Sequence, residues 1–241
     1  MKALHRFPAG ITAPCTCVRI LNMEIVLASN SPRRRELLSL GGWHFRVQAA
    51  DIDETPLDGE PAPAYVRRLA YGKVRAVGQQ PGGERWVIAA DTTVSDRGRI
   101  LGKPADAAEA ICMLRNLRGR QHQVYTALAL LHTSDECIWE TICLTQVPMR
   151  RYSDAEIQSY VLSGDPLDKA GAYAIQHAGF HPAASLHGCY ANVMGLPLCH
   201  LVRLLRQAGI ETAQSIPQAC QEHLAYACTV YPEFLGTERT I

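Results

Sequence analysis

Leu27-Ala28-Ser29-Asn30-Ser31-Pro32-Arg33-Arg34 is the stretch on which the reading of this chain turns. The apolar run Ile25–Ala28 suits a buried strand. Ser31 and Pro32 read as the N-cap and first position of a helix. Leu37, Leu38 and Leu40 supply its apolar face, and Gly41-Gly42 ends it. A strand feeding a helix through a polar loop leaves backbone N–H groups and the positive helix end beside Arg33 and Arg34. That arrangement suits a phosphate, and guanidinium groups add bidentate contacts to phosphate oxygens. Taken alone, a capped surface helix with solvated arginines fits the same residues.

Strands and helices alternate outward from this junction. Phe45–Val47 suggests a second strand and residues 63–77 a helix striped by Val66, Leu69 and Ala70. Trp86–Ala90 is another apolar strand, and Asp106–Leu117 a helix with Ala110, Ile111, Leu114 and Leu117 inward and Gly119 as its stop. Residues 123–131 and 138–147 alternate as long, paired strands. Ser153 and Glu156 form a capping box for a helix to Leu162. Leu198, Leu201, Val202 and Leu205 make the stripe of a last helix. The mixture predicts an α/β or mixed α+β domain around a mixed, curved sheet. Residues 1–22, with Lys2, Arg6 and Arg19 and no acid, read as an extension outside the fold, and Met23 is an alternative start. Residues 23–210 form the domain, and residues 211–241 a tail with no clear period.

With 241 residues and 47% hydrophobic content the chain can bury a proper core. Lys+Arg of 24 against Asp+Glu of 23 argues against a general nucleic-acid or membrane-surface binder, so any anion site is local. No apolar run approaches the roughly eighteen residues that span a bilayer. The nine cysteines are irregularly spaced and lack C-x-x-C, which reads as reduced thiols in a cytoplasmic protein. There is no Walker A, G-x-G-x-x-G, G-x-S-x-G or H-E-x-x-H pattern.

Further chemistry lies along the chain. Asp51-Ile52-Asp53-Glu54 crowds three carboxylates that repel unless a cation sits among them; a solvated acidic loop accounts for them equally. Lys73 follows Leu69 by four and Val66 by seven, so a helix turns it to the buried face, where it needs an anion or must snorkel out. Asp91 follows the strand Trp86–Ala90, where open α/β sheets place ligand groups, with Thr92 and Thr93 beside it. Lys103 sits between Gly102 and Pro104. In residues 165–176, small residues allow close approach of a ligand, and Gln176 offers a donor and an acceptor to a pyrimidine edge.

Together these segments resemble the Maf family of septum-formation inhibitor proteins. The matching stretches are LASNSPRRRELL (27–38), DIDE (51–54), ADT (90–92), ILGKP (100–104), LDKAGAYAIQ (167–176) and NVMGLP (192–197), in family order. The resemblance implies an elongated, two-lobed α/β fold of the Maf/ITPase-like kind, with the active-site cleft between the lobes. It implies a usual homodimer and hydrolysis of a nucleoside triphosphate to the monophosphate and pyrophosphate with a divalent cation, Mg²⁺ or Mn²⁺. Ser29, Arg33 and Arg34 then match the phosphate loop, and Lys73 and Lys103 the lysines that neutralise the triphosphate. Glu54 and Asp91 match the acids that hold the metal or activate water. Asp91 is the favoured general base, although one acid cannot easily be ligand and base at once.

Within the family, Arg34, Thr92, the DKAGAYAIQ segment and Gln176 resemble the subgroup acting on dTTP and UTP. A neutral amide at Gln176 suits the O4 and N3 edge of uracil or thymine, whereas a carboxylate would suit guanine. Thr93 and Met194 depart mildly from the family pattern. Two alternatives stand beside this: a nucleotide-binding regulator of septum formation without turnover, and a pyrophosphatase of the 7-methyl-GTP type.

Overall fold

The computed structural model describes residues 24–186, 188–213 and 215–235. The extension expected at 1–22 and the end of the tail lie outside these residues. Six strands form one mixed sheet in the order β2 (Phe45–Val47), β1 (Ile25–Leu27), β3 (Trp86–Asp96), β5 (Gln121–His132), β6 (Ile138–Pro148). β4 (Arg99–Leu101) pairs with the end of β3. β1 runs parallel to both β2 and β3, while β3, β5 and β6 are antiparallel. This is the mixed sheet the sequence predicts.

Alternation along the strands sends successive side chains to opposite faces. Val26, Ala28, Val87 and Ala89 pack on one face against α2 (Ala62–Gly78), through its buried Val66, Ala70, Val74 and Val77. Each such valine contributes roughly 1.5–3 kcal/mol by leaving water. Ile25, Leu27, Ile88 and Leu130 pack on the other face, under α1 (Pro32–Ser39), α5 (Tyr190–Met194) and α6 (Leu198–Gln207). A separate core lies at the far ends of β3 and β5. There Val94, Val124 and Val147 meet α3 (Ala107–Leu117), α4 (Asp154–Leu162) and Tyr173 of the 167–176 segment. The long strands β3 and β5 thus pass through two lobes, each with its own core.

Local signals set many boundaries. The Ser31 side chain caps α1 with Pro32 at its start, and Ser153 with Glu156 closes both halves of the capping box of α4. β3 runs past Ala90 to Asp96, so Asp91 lies inside a strand rather than after one. The expectation still reflects a real break, because pairing with β1 stops at Ile88 and only the antiparallel partner continues. Ile111 is half-buried rather than fully inward. The aperiodic stretch after residue 210 holds α7 (Ile216–Leu224) and α8 (Tyr231–Leu235), with Ile216 buried against the sheet core.

Candidate active site

Where β1 stops and β3 continues, the chain leaves the sheet through Ala28–Ser31 and exposes the flank of Asp91. A cavity of about 500 Å³ opens there between the two lobes. Ser29, Arg33, Arg34, Glu54, Lys73, Asp91, Thr92, Lys103 and Gln176 all line it. The structure therefore brings these nine residues to one cleft, while Asp51, Asp53 and Thr93 do not line it.

At the floor, Lys73 of α2 reaches the carboxylates from below. Its Nζ is 2.7 Å from Asp91 Oδ1 and 2.6 Å from Glu54 Oε1. Lys73 and Asp91 are buried, so the lysine is ion-paired rather than snorkelled. Burial pushes the Asp91 carboxyl above its ordinary pKa, with Lys73 and Arg34 pulling the other way and Glu54 adding to the rise. The Glu54 side chain is 55% exposed and stands at the mouth. Of the acidic triplet only Glu54 joins this cluster. Asp53 instead accepts a hydrogen bond from Thr55 N in a local turn.

Two residues of α2 hold the Glu54 loop in place, and the sequence reading missed both. The Tyr65 hydroxyl donates to the Glu54 carbonyl at 2.9 Å. Burial, then Asp91 and Glu54, push the Tyr65 pKa up to about 12, so the hydroxyl keeps its proton. Arg68 makes paired hydrogen bonds to Glu60 at 2.8 and 2.7 Å and donates to the Thr55 carbonyl. Both lie off the apolar stripe of Val66, Leu69 and Ala70, and nothing local in sequence says that a loop lies over that side.

Arg34 forms the wall. Its guanidinium donates to the Gly195 carbonyl (2.9 Å), Ser29 Oγ (3.2 Å) and Thr92 Oγ1 (3.2 Å). Burial lowers its pKa, opposed by Asp91, but a guanidinium stays protonated in proteins. Thr92 shares a hydrogen bond with Thr126 Oγ1 (2.9 Å), and Thr126 donates to the Asn192 carbonyl (3.0 Å). Three of the five donors of Arg34 are thus spent on the protein, which makes it a strut joining α1, β3 and the turn after α5. Gly195 has φ +105, and a Cβ there would stand 3.3 Å from both Arg34 Nε and Thr92 Oγ1, so the turn needs glycine. Arg33, Lys103 and Gln176, by contrast, make no side-chain hydrogen bond among the described residues. Their polar ends are available to a ligand.

The 167–176 segment forms the roof. Gly171 has φ +72 with the Val94 side chain 3.1 Å from where a Cβ would be, which lets the segment lie directly on β3. It also adds Asp168 and Lys169, which the sequence reading quoted but assigned no role. Lys169 pairs with Asp165 at 3.0 Å and Asp168 at 2.6 Å. Among the described residues no three acidic, histidine or cysteine side chains form a ready metal cage. Two converging carboxylates are nonetheless a suitable donor set for Mg²⁺, which binds through one or two carboxylates with substrate phosphates completing its shell.

The fold and site define a mixed α/β protein whose two lobes flank a cleft lined by cations and carboxylates. The Maf-like protein family model matches residues 24–208, and the chain belongs to this family. It is 51% identical to a dTTP/UTP pyrophosphatase of Myxococcus xanthus over 77% of this chain and 93% of that protein. It is 46% identical to a dTTP/UTP pyrophosphatase of a Geobacter species over 78% of this chain and 97% of that protein. Among solved structures, a HAM1 protein from Coxiella burnetii matches with a TM-score of 0.44 and 19% identity, over 77% of this chain and all of that one.

Proposed function

We propose that this chain is a nucleoside triphosphate pyrophosphatase that hydrolyses dTTP and UTP to the monophosphate and pyrophosphate, by attack of water at the α-phosphorus. The observation that carries this is the convergence of Asp91, Glu54 and Lys73 beneath a cavity whose rim holds the open cations Arg33 and Lys103. The activity borne by relatives at 51% and 46% identity supports it.

In this reading Arg33, Lys103 and the N–H groups of the Ser29–Ser31 loop take the triphosphate oxygens. Arg34 keeps that loop against Thr92. Asp91 orients the water and takes its proton, and its raised pKa makes it a better base than an ordinary carboxylate. Lys73 keeps Asp91 ionised in a site that disfavours charge. Glu54 and Asp91 would hold a divalent cation, Mg²⁺ or Mn²⁺, which when bound offsets charge on the leaving pyrophosphate. Gln176 reads the uracil or thymine edge with its amide. The same reading makes the protein a cytoplasmic homodimer that binds neither nucleic acid nor membrane. Its formal net charge of +1 supports the nucleic-acid part, and no helix among the described residues is long and apolar enough to cross a membrane. Light scattering tests the dimer.

The deciding experiment is pyrophosphate release over a panel of canonical and modified nucleotides with Mg²⁺ and with Mn²⁺. Release from dTTP and UTP, well above that from GTP and 7-methyl-GTP, is expected. Tight binding without release from any nucleotide overturns the enzymatic reading.

A further inference from the structure

Gln176 is exposed at the cleft wall, so the aim of its amide depends on the backbone that carries it. That backbone is a four-residue turn, closed by the His177 N–H donating to the Ala174 carbonyl at 3.2 Å. Ile175 and Gln176 are its two corners. Ile175 packs against both apolar cores, and Gln176 is the exposed corner.

Both ends of this turn rest on one buried residue, Tyr160 of α4, which lies outside the cleft lining. Its hydroxyl accepts from the Ala174 N–H at 2.9 Å and donates to Asp165 Oδ2 at 2.6 Å. Its ring lies against His177 with centroids 4.6 Å apart and stacks on Phe180 at 4.3 Å. The Phe180 N–H donates to His177 Nδ1 at 2.9 Å, which fixes that imidazole. Burial, then the bond to Asp165, raise the Tyr160 pKa, so the hydroxyl keeps the proton it shares with Asp165. Lys169 holds Asp165 in turn, through the carboxylate at 3.0 Å and the backbone carbonyl at 2.6 Å. One phenol thus ties the start of the roof, at Asp165, to its far end, at Ala174.

We propose that Tyr160 is a positioning residue for base selection: by holding both ends of the 174–177 turn it fixes the depth and direction at which Gln176 presents its amide to a pyrimidine edge. This rests on the proposed function, in which Gln176 reads the uracil or thymine base. An amide discriminates between bases only when its donor and acceptor meet their partners at hydrogen-bonding distance and angle. A long side chain on a loose turn spreads both groups over many positions, and ordering them on binding lowers affinity for the right base. Without the Tyr160 hydroxyl the buried Ala174 N–H has no acceptor and the turn is free to shift. Tyr160 touches none of the acids and cations of the cleft floor, so its loss acts on the choice of nucleotide and leaves the hydrolytic step alone.

The test compares pyrophosphate release from UTP and from GTP by the full-length parent, Tyr160→Phe, Gln176→Ala and the double variant. Phenylalanine keeps the ring contacts with His177 and Phe180 and removes both hydrogen bonds. The ratio of kcat/KM for UTP over GTP should fall roughly five- to tenfold in Tyr160→Phe, the effect of about one net hydrogen bond. The change should lie in KM, with kcat for UTP within about twofold of the parent. Because Tyr160 acts through Gln176, the double variant should select no worse than Gln176→Ala alone. Additive losses overturn the proposal, and so does an unchanged ratio in Tyr160→Phe, whatever its urea midpoint, since a merely structural residue gives those results. Asp165→Ala takes the acceptor from the same hydroxyl at a position outside the cleft lining; it should lower the ratio too, and it decides the matter if Tyr160→Phe does not fold. An unchanged ratio in Gln176→Ala refutes the base reading, and the positioning role falls with it. A changed ratio there beside an unchanged one in Tyr160→Phe removes the positioning role alone. A parent without turnover fails the proposed function, and the same ratios are then read from UTP and GTP dissociation constants by calorimetry.

Discussion

Replacing Asp91 by Asn separates the chemistry of the cleft from its architecture. The side chain keeps its size and an oxygen facing Lys73 Nζ, now 2.7 Å from Asp91 and 2.6 Å from Glu54. Lys73 therefore retains one full charge partner. A buried pair broken outright costs about 3–5 kcal/mol. Here Glu54 remains and the burial of a second carboxylate is relieved, so the loss of stability should stay below about 2 kcal/mol by urea unfolding. On the proposed function, however, the general base is gone. Its removal lowers turnover by roughly 10²–10⁴, or about 3–5 kcal/mol of barrier.

The assay is steady-state pyrophosphate release from UTP, with kcat and KM resolved separately. A fall in kcat with KM within about threefold is expected. Turnover within tenfold of the parent would refute the assignment. An unchanged kcat with a large rise in KM would instead make Asp91 a ground-state binding group. The parent's pH profile supplies a second check. A base works only when ionised, so activity falls as pH drops through the Asp91 pKa, which burial sets above the ordinary carboxylate value. The effect on stability has the opposite sense: because the folded pKa is raised, this group's contribution is present at low pH and is lost as pH rises through that pKa.

Gln176→Glu should penalise UTP relative to a guanine nucleotide in competition assays, and unchanged selectivity removes the amide from base recognition. Lys103→Ala should raise the KM for UTP about tenfold with little change in kcat, whereas Lys73→Met should lower kcat and shift the acid limb of the profile upward; the same kinetic pattern for both variants would show that the two lysines do not divide the work. Buried His122 and His200 are each held down to about 4 by desolvation. Their folded pKa values lie below the unfolded one, so unfolding takes up protons and stability falls as pH drops from about 6.5 toward 4. Urea titrations at pH 7 and pH 5 should show a loss of about 2 kcal/mol per histidine, which His122→Leu should reduce; equal stability at the two pH values contradicts it.

The parts of this site legible in sequence are those fixed by local rules. Ser31-Pro32 marks a helix start because capping and a fixed φ act within one turn. The spacing of Val66, Leu69 and Lys73 buries the lysine through helix period alone. The parts not legible depend on distant neighbours. The place of Arg34 beside the phosphate loop is legible, but its ties to Gly195 and Thr92 are not, because both partners lie far away in sequence. Asp91 read as the end of a strand because the apolar run stops near where β1 stops pairing, and the continued pairing with the distant β5 leaves no local mark. Residues 211–235 read as aperiodic because short helices such as α8 carry too little period to recognise. Yet Phe234 stacks on His200 with ring centroids 3.8 Å apart, and His223 reaches Glu36 of α1 at 3.0 Å.

The cations of the cleft divide into committed and open groups, and this division explains how a site rich in positive charge can hold two acids ready. Lys73 and Lys169 each face two carboxylates, and Arg34 is bound to three protein oxygens. These groups have low reorganisation on substrate entry, because their geometry is already satisfied. In the proposed function Arg33 and Lys103 carry the charge left for a triphosphate; they sit on a loop-to-helix junction and a turn at the rim of the cleft. If all five cations were open, Asp91 would lie in a field that lowers its basicity, and arriving phosphates would compete with it for Lys73. On the proposed mechanism, keeping Lys73 on the acids would preserve a base while the rim supplies affinity. Electrostatic preorganisation of this kind acts mainly on the barrier rather than on binding, which is why the floor lysine should be read in kcat and the rim lysine in KM.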